Sequence, residues 1–174
     1  MKESSDKDTT LSKNPIVRYF FRMKFEIIIS FANLRENDII LDFGCGDKWL
    51  KKRLPRFNII GYDINPKQTE IRDYRTIKPT KIFCLDVFEH IPAKEIEKII
   101  ENFKKMNNNF ELIVSIPTGN FISRKARKFV GKSEILEGHI TSYKEILDLL
   151  KKNFELRNKI NFFTVTKIFK FKNI

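Results

Sequence analysis

The chain has 174 residues, of which 41% are hydrophobic and 13% aromatic, and it carries a formal net charge of +12. These values suit one globular domain and exclude disordered and fibrous classes, because the chain has enough apolar surface to bury a core. Residues 119–174 carry +8 of the charge, and this basic excess favours nucleic acid, a phosphorylated substrate or a membrane surface as partner. Basic residues also promote solubility, so charge alone identifies no partner.

The cysteine content and the N-terminal residues bear on the compartment. Two cysteines, Cys45 and Cys84, are too few for a disulfide scaffold and lack metal-ligand spacing to a histidine. Residues 1–13 are polar, do not fit a signal peptide and are expected to form a flexible tail. The apolar stretch 25–34 is shorter than the ~20 residues of a membrane span. We expect a cytoplasmic protein with residues 14–174 as a single domain, no metal site and no integral membrane insertion; peripheral membrane association is an open alternative.

The predicted elements alternate between helices and strands. Pro15 predicts the first turn of a long helix, and the apolar residues on two of its faces indicate burial on two sides. A capping box formed by Ser142 and Glu145 predicts a late helix. Four segments are predicted as strands of the buried type: residues 39–43, 58–62, 81–85 and 112–116. Two further helices are predicted over residues 48–54 and 93–106, and a final hairpin over residues 154–163 and 165–171. This order predicts an open Rossmann-like α/β sheet, mostly parallel, with a C-terminal antiparallel hairpin.

Glycines and acidic residues follow the predicted strands, at the edge of the sheet where α/β proteins bind ligands. Gly44 and Gly46 follow the first strand and let the backbone approach a ligand closely. Asp63 ends the second strand and is placed to bind the two hydroxyl groups of a ribose. This spacing is similar to that of a dinucleotide site, but Trp49 stands where the third glycine of that fingerprint would fall. An NAD-linked oxidoreductase is therefore the weaker alternative.

Several segments, in order, resemble the motifs of the class I S-adenosylmethionine-dependent methyltransferases. They are LDFGCGDKWL, GYDIN, FCLDVFEHIP and LIVSIPTGN, and HITSYKEILDLLKKNFEL is similar to the late helix and strand of the small members that contain a Glu-His pair. The resemblance runs from about residue 37 to the C-terminus. It implies a class I methyltransferase-like fold and a methyltransferase that uses S-adenosyl-L-methionine as its cofactor.

The resemblance also implies site residues. The loop after the first strand would lie under the methionine part of the cofactor, and the second strand end would bind its ribose. The interval between Asp63 and Ile82 is shorter than the family normally has, so we expect a shortened or missing helix and a vestigial strand around residues 64–80. Asp73 is then the candidate for the adenine-edge contact, apart from Glu70. The implied cofactor-binding residues are Asp42, Gly44, Cys45, Gly46, Asp63, Ile64, Asp73, Leu85 and Asp86.

The candidates for catalysis are Asp86, His90 and His139. A histidine titrates near neutrality and can accept a substrate proton within its reach, and Asp86 can act as a base or a substrate anchor. Each also suits a purely structural role, as does Glu89. The substrate rim is predicted from basic residues that can bind phosphate on RNA, a phosphorylated metabolite or a lipid headgroup, or else form a solvated helical face: Arg124, Arg127 and Lys128.

The sequence therefore predicts a methyltransferase that acts on an anionic acceptor. A non-catalytic methyltransferase-like binding module is the main alternative.

Overall fold

A computed structural model describes residues 15–118 and 140–173. Its elements follow the predicted order, and their bounds agree with the predicted ones to within a few residues. The helices are α1 (Pro15–Ala32), α2 (Trp49–Arg53), α3 (Ala93–Met106) and α4 (Tyr143–Asn153), and the strands are β1 (Ile39–Phe43), β2 (Asn58–Tyr62), β3 (Lys81–Leu85), β4 (Glu111–Pro117), β5 (Phe154–Phe162) and β6 (Thr166–Asn173). Ser142 caps α4 in the predicted capping box with Glu145.

The strands form one six-stranded sheet in the order β2-β1-β3-β4-β6-β5. The first four strands in this order are parallel, and β6 runs antiparallel to both β4 and β5. The predicted open, mostly parallel sheet with a C-terminal antiparallel hairpin is confirmed. The carboxyl ends of β1, β2, β3 and β4 therefore meet at one edge of the sheet, which is where such folds bind ligands.

The sheet ends at β2, because residues 64–80 form one 3₁₀ turn (Tyr74–Thr76) but no α-helix or strand. The predicted shortening is confirmed, and the vestigial strand is absent. Glu70 takes over hydrogen bonds that a further strand would make to Gly61. The Glu70 amide donates to the Gly61 carbonyl at 2.9 Å, and the Glu70 carboxylate accepts from the Gly61 amide at 2.9 Å. Glu70 alone therefore pairs part of the outer edge of β2, which is the edge strand of the sheet.

The two faces of the sheet bury separate apolar clusters. Alternate strand residues such as Ile82 and Phe83 belong to different clusters, as the two-residue period of a strand requires. Helices α3 and α4 cover one face, and α1 and α2 cover the other. The two-sided burial expected of α1 does not extend to its first turns, where Ile16 and Tyr19 are 62% and 67% exposed. Among the described residues, no helix is long and apolar enough to cross a membrane.

Candidate functional site

The loop after β1 is built on two glycines with left-handed backbone angles. Gly44 has a φ of +78° and Gly46 a φ of +47°, values that cost little only without a Cβ. The amides of Gly44 and Cys45 both donate to the Tyr62 carbonyl, at 2.7 and 3.0 Å. A Cβ on Gly44 would lie 2.4 Å from Cγ2 of Val87, whereas no atom of the described residues lies within 4 Å of a Cβ position on Gly46. The glycines therefore allow the loop to touch the segment after β3 and keep its outer side open.

Lys48, which stands where the resembled family often has a small residue, also adopts a left-handed angle. Its φ is +57°, and it directly precedes α2. Trp49, at the start of α2, stacks on Phe25 of α1 with 3.9 Å between ring centroids. The tryptophan thus packs within the fold, against α1.

Asp63 holds the glycine loop against the end of β2. Its Oδ2 accepts from the Gly46 amide at 2.9 Å, and its Oδ1 accepts from the Asn65 amide at 2.9 Å. A carboxylate has about four acceptor positions, so about two remain for ligand hydroxyl groups. The neighbouring Ile64 is 93% exposed. The ribose and adenine contacts stay predictions.

Asp42 is a buried carboxyl beside two others. It lies on β1 between Gly61 and Phe83 of the adjacent strands and is 5% exposed. Burial, followed by repulsion from Asp63 and Glu70, raises the pKa of Asp42 to about 7. A cation bound nearby would favour its ionised form, so this part of the site is suited to a positively charged ligand.

The two cysteines are packed thiols. Cys45 Sγ would lie 2.9 Å from a Cβ on Gly61, so the missing side chain at Gly61 makes room for it. Burial, followed by repulsion from Asp42, raises the pKa of Cys45 to about 12. Burial also raises the pKa of Cys84 well above its ordinary value. Neither thiol is set up as a nucleophile at neutral pH, because the thiolate is the reactive form.

Asp86 anchors a group of polar side chains at the ends of β3 and β4. Its φ of +56° is unusual for a residue other than glycine, and its amide donates to the Ser115 carbonyl at 3.0 Å. Ser115 Oγ donates to Asp86 Oδ1 at 2.7 Å, and Lys24 of α1 forms an ion pair with Asp86 Oδ2. Lys24 is only 2% exposed, so α1 places a buried cation against the site.

Lys24 is a site residue that the sequence analysis missed. Its neighbours three and four positions away on α1 are Phe20, Phe21, Ile27 and Ile28. A lysine whose helical neighbours are all apolar lies on the face that packs against the protein, and this was the available signal. A charge on such a face requires a partner, which Asp86 supplies.

Glu89 is a second buried carboxyl, in the 3₁₀ turn Phe88–His90. It is 2% exposed, and its Oε2 has no hydrogen-bond partner among residues 15–118 and 140–173. Burial, followed by repulsion from Asp86, raises the pKa of Glu89 to about 8. The Glu89 carbonyl accepts from the amides of Ile140 and Thr141, at 2.7 and 3.3 Å. His90, the neighbouring candidate base, is exposed.

The structure brings most of the predicted cofactor residues to the ends of β1, β2 and β3. Leu85 ends β3 and is half-buried against the α1 side of the core. Asp73 instead caps the turn Tyr74–Thr76, forms an ion pair with Arg75 at 2.8 Å and lines a pocket with Tyr62 and Asn102. Its adenine contact stays a prediction. The predicted residues that lie outside the described part of the chain are Arg124, Arg127, Lys128 and His139.

The described residues contain no group of three or more His, Cys, Asp or Glu side chains placed to hold a metal ion. The polar groups of the site are carboxylates, the buried Lys24, a serine hydroxyl and loop amides, and Lys48 and Lys51 form ion pairs with Glu70.

The chain is similar to known proteins in its three-dimensional structure, and this similarity identifies the fold. No family model and no curated protein sequence matches the chain. A Pyrococcus horikoshii protein (PH0226) is 11% identical with a TM-score of 0.75, covering 100% of each chain. The N-methyltransferase NodS from Bradyrhizobium japonicum is 12% identical with a TM-score of 0.67, covering 94% of this chain and 99% of that one. Magnesium protoporphyrin IX methyltransferase from Synechocystis PCC 6803, with bound S-adenosylhomocysteine, is 17% identical with a TM-score of 0.66, covering 92% and 88%. The chain therefore has the Rossmann-like fold of class I methyltransferases.

Proposed function

We propose that the protein is an S-adenosylmethionine-dependent methyltransferase that binds its cofactor over the glycine loop. The observation that carries this proposal is the pair of carboxyl groups, Asp42 and Asp63, beside the loop. A third carboxylate, Glu70, is paired with Lys51 at 2.9 Å and with Lys48 at 3.6 Å. S-adenosylmethionine carries a sulfonium and an ammonium group, and both are favoured by nearby carboxylates. The open space at Gly46 gives the cofactor room to approach the backbone.

Asp63 and Asp42 each have a definable task towards this cofactor. Asp63 would bind the ribose hydroxyls with its remaining acceptor positions, and Asp42 would stabilise the cationic methionine part. The bound cofactor supplies an electrophilic methyl group. The contribution of the chain is to hold that methyl group in line with an acceptor, because alignment accounts for much of the acceleration in such a transfer.

A dinucleotide cofactor suits this loop less well. A pyrophosphate binds to free backbone amides at the start of a helix. In this loop the amides of Gly44 and Cys45 donate to Tyr62, that of Gly46 to Asp63 and that of Lys48 to Cys45. These amides are therefore already committed, and the Asp63 carboxylate at the Gly46 amide would repel a pyrophosphate.

We propose further that the acceptor is anionic. The support is the +8 charge of residues 119–174, which include Arg124, Arg127 and Lys128. The solved relatives differ in their named activities, an N-methyltransferase and a magnesium protoporphyrin IX methyltransferase among them, so the fold does not select an acceptor. Replacing the three basic residues by alanine should reduce methyl transfer at low salt and have little effect at high salt. Unchanged transfer at low salt would leave the charge a role in solubility only.

The cofactor is tested by titration calorimetry with S-adenosylmethionine and S-adenosylhomocysteine. We expect both to bind, and Asp63→Ala to weaken binding by tenfold or more, because it leaves the ribose hydroxyls without acceptors. Asp148→Ala removes an exposed carboxylate of α4 and serves as the matched control. Absence of binding by the unmodified protein at high micromolar ligand would overturn the proposal.

Transfer is separated from binding by incubation with methyl-labelled cofactor and fractionated cell extract. Label in a nucleic-acid, metabolite or lipid fraction identifies the class of acceptor. Cofactor binding without label in any fraction would favour the non-catalytic binding module.

A further inference from the structure

We propose that Glu89 takes the proton from the methyl acceptor, whose reacting atom is then a nitrogen or oxygen that carries a proton. This inference rests on the methyltransferase function proposed above. It assigns a task to a residue for which the sequence analysis found no chemistry.

The position of Glu89 is the first support. The segment that carries it follows β3 and touches the glycine loop, since Val87 occupies the space that a Cβ on Gly44 would need. Asp86 and Glu89 lie on either side of that contact along the chain. The segment is therefore in contact with the loop over which the cofactor is proposed to bind, and it lies at the ligand-binding edge of the sheet.

The second support is the unused oxygen of a buried side chain. Buried polar atoms almost always have hydrogen-bond partners, because an unpaired one costs about 1–3 kcal/mol. Oε2 of Glu89 has none among the described residues, although the side chain is 2% exposed. The backbone of Glu89 already holds the segment at Ile140 through its carbonyl. The carboxyl group is not needed for that structural contact, which leaves it available to a ligand.

The third support is the charge around Glu89. Within residues 15–118 and 140–173, the charged groups that act on it are Asp86, on its own segment, and Lys24, from α1. Lys24 is paired with Asp86, so its charge is largely committed. From the segment packed against the turn, Thr141 contributes a hydroxyl group that donates to the Ile91 carbonyl at 2.6 Å. Burial and Asp86 together raise the pKa of Glu89 to about 8, close to that of a group that exchanges protons at neutral pH.

The lone pair of the acceptor nitrogen or oxygen forms a bond to the methyl carbon, and the carbon–sulfur bond breaks with its electron pair remaining on sulfur. The sulfonium becomes a neutral thioether. The cationic cofactor favours the ionised form of Glu89, and the proton lost by the acceptor passes to this carboxylate. The neutral carboxyl group that results later returns the proton to solvent.

The test uses ligands of the cofactor site, so it does not require the acceptor. In sinefungin a carbon bearing a protonated amine replaces the sulfonium and its methyl group, which places N–H donors where the methyl group would be. S-adenosylhomocysteine has a neutral sulfur at that position. We expect Glu89→Gln to weaken sinefungin at least tenfold and to change S-adenosylhomocysteine less than twofold. Glu97→Gln, on the exposed side of α3, makes the same change of charge and is the control.

Proton release provides a readout that a structural role would not change. Calorimetry in two buffers of different ionisation enthalpy counts the protons released on binding. At pH 7 Glu89 is mostly protonated, and the cationic amine would ionise it, so sinefungin should release more protons than S-adenosylhomocysteine does. This difference should vanish in Glu89→Gln and persist in His90→Gln.

Three outcomes decide the inference. An unchanged ratio of sinefungin to S-adenosylhomocysteine affinity in Glu89→Gln would overturn it, and so would loss of the extra proton in His90→Gln instead. Failure of the unmodified protein to bind any of these ligands would overturn the methyltransferase proposal itself. Normal S-adenosylhomocysteine binding by Glu89→Gln shows that the variant is folded.

Discussion

The amide of Gly46 donates a 2.9 Å hydrogen bond to Oδ2 of Asp63, which ties the loop after β1 to the end of β2. Two residues that the sequence assigned to one ligand are therefore bound to each other. The bond orients the Asp63 carboxylate and fixes the left-handed loop. Such pre-organisation lowers the entropic cost of binding.

Asp63→Asn tests this double role. Both oxygens of Asp63 accept backbone amides, from Gly46 and Asn65. An asparagine has one oxygen, so its NH₂ group must face one of the two donors. We expect a loss of about 1–2 kcal/mol of unfolding free energy, measured in urea, and at least tenfold weaker S-adenosylhomocysteine binding. Equal stability of Asp63→Asn and the surface control Asp148→Asn would contradict the role of this bond.

The two loop glycines should respond differently to alanine. Gly44→Ala combines a φ of +78° with a Cβ 2.4 Å from Val87, so we expect it to destabilise the fold by more than the roughly 1–2 kcal/mol of a left-handed angle alone. Gly46→Ala meets no atom within 4 Å, so it should cost only that strain and act mainly by blocking the ligand.

Urea unfolding and calorimetry separate these effects. Adding Val87→Ala to Gly44→Ala should recover part of the lost stability, because it removes the atoms that the new Cβ would meet. Equal destabilisation by the two glycine substitutions would show that the contact with Val87 is unimportant.

The fold could be predicted because its elements are marked by sequence features that do not depend on tertiary contacts. Strands such as 81–85 are near-continuous apolar runs, and the capping box at Ser142 marks a helix start by chemistry that does not depend on tertiary contacts. The strand-end positions of Gly44 and Asp63 follow directly from the strand assignments. These residues were predictable because each depends on its own neighbours in sequence.

The buried charges could not be assigned in this way. Glu89 and Lys24 are separated by 65 positions, and Glu89 acquires its raised pKa from burial and from Asp86, which only the packed structure brings about. Lys24 offered a pattern, an apolar helical surrounding, but nothing that named Asp86 as its partner. Residues 64–80 had no period, so the pairing of Glu70 with Gly61 had no signal in the sequence.

Asp42→Asn should stabilise the protein at high pH. The pKa of Asp42 is raised from 3.8 to about 7, so the folded state binds this proton more tightly than the unfolded state. The wild type therefore loses stability as the pH rises from about 4 through 7, and the amide of the Asp42→Asn variant, which does not titrate, takes no part in that loss. We expect the advantage of the variant to grow by roughly 2–3 kcal/mol between pH 5 and pH 8 in urea unfolding. An advantage that is the same at both pH values would contradict the raised pKa.

The same carboxyl group should make cofactor binding depend on pH. S-adenosylmethionine is cationic and favours ionised Asp42, so its affinity should fall as the pH drops below 7 and Asp42 becomes protonated. Asp42→Asn should bind more weakly with a flatter profile between pH 6 and 8. Calorimetry over this range measures both. Identical profiles for the two proteins would remove Asp42 from the cofactor site.

Removing Asp86 from its ion pair with Lys24 should destabilise the fold more than removing Lys24 does. The Lys24 side chain is 2% exposed and that of Asp86 is 35% exposed. Asp86→Ala leaves a buried ammonium without its partner, and we expect a loss of about 3 kcal/mol or more. Lys24→Met keeps the apolar length of the side chain and leaves a carboxylate that water can reach, so we expect a loss of about 1 kcal/mol. The double variant should be more stable than Asp86→Ala alone, because it no longer buries an unpaired charge. Urea unfolding of the three variants measures these differences, and equal losses for the two single substitutions would show that α1 does not hold Lys24 away from water.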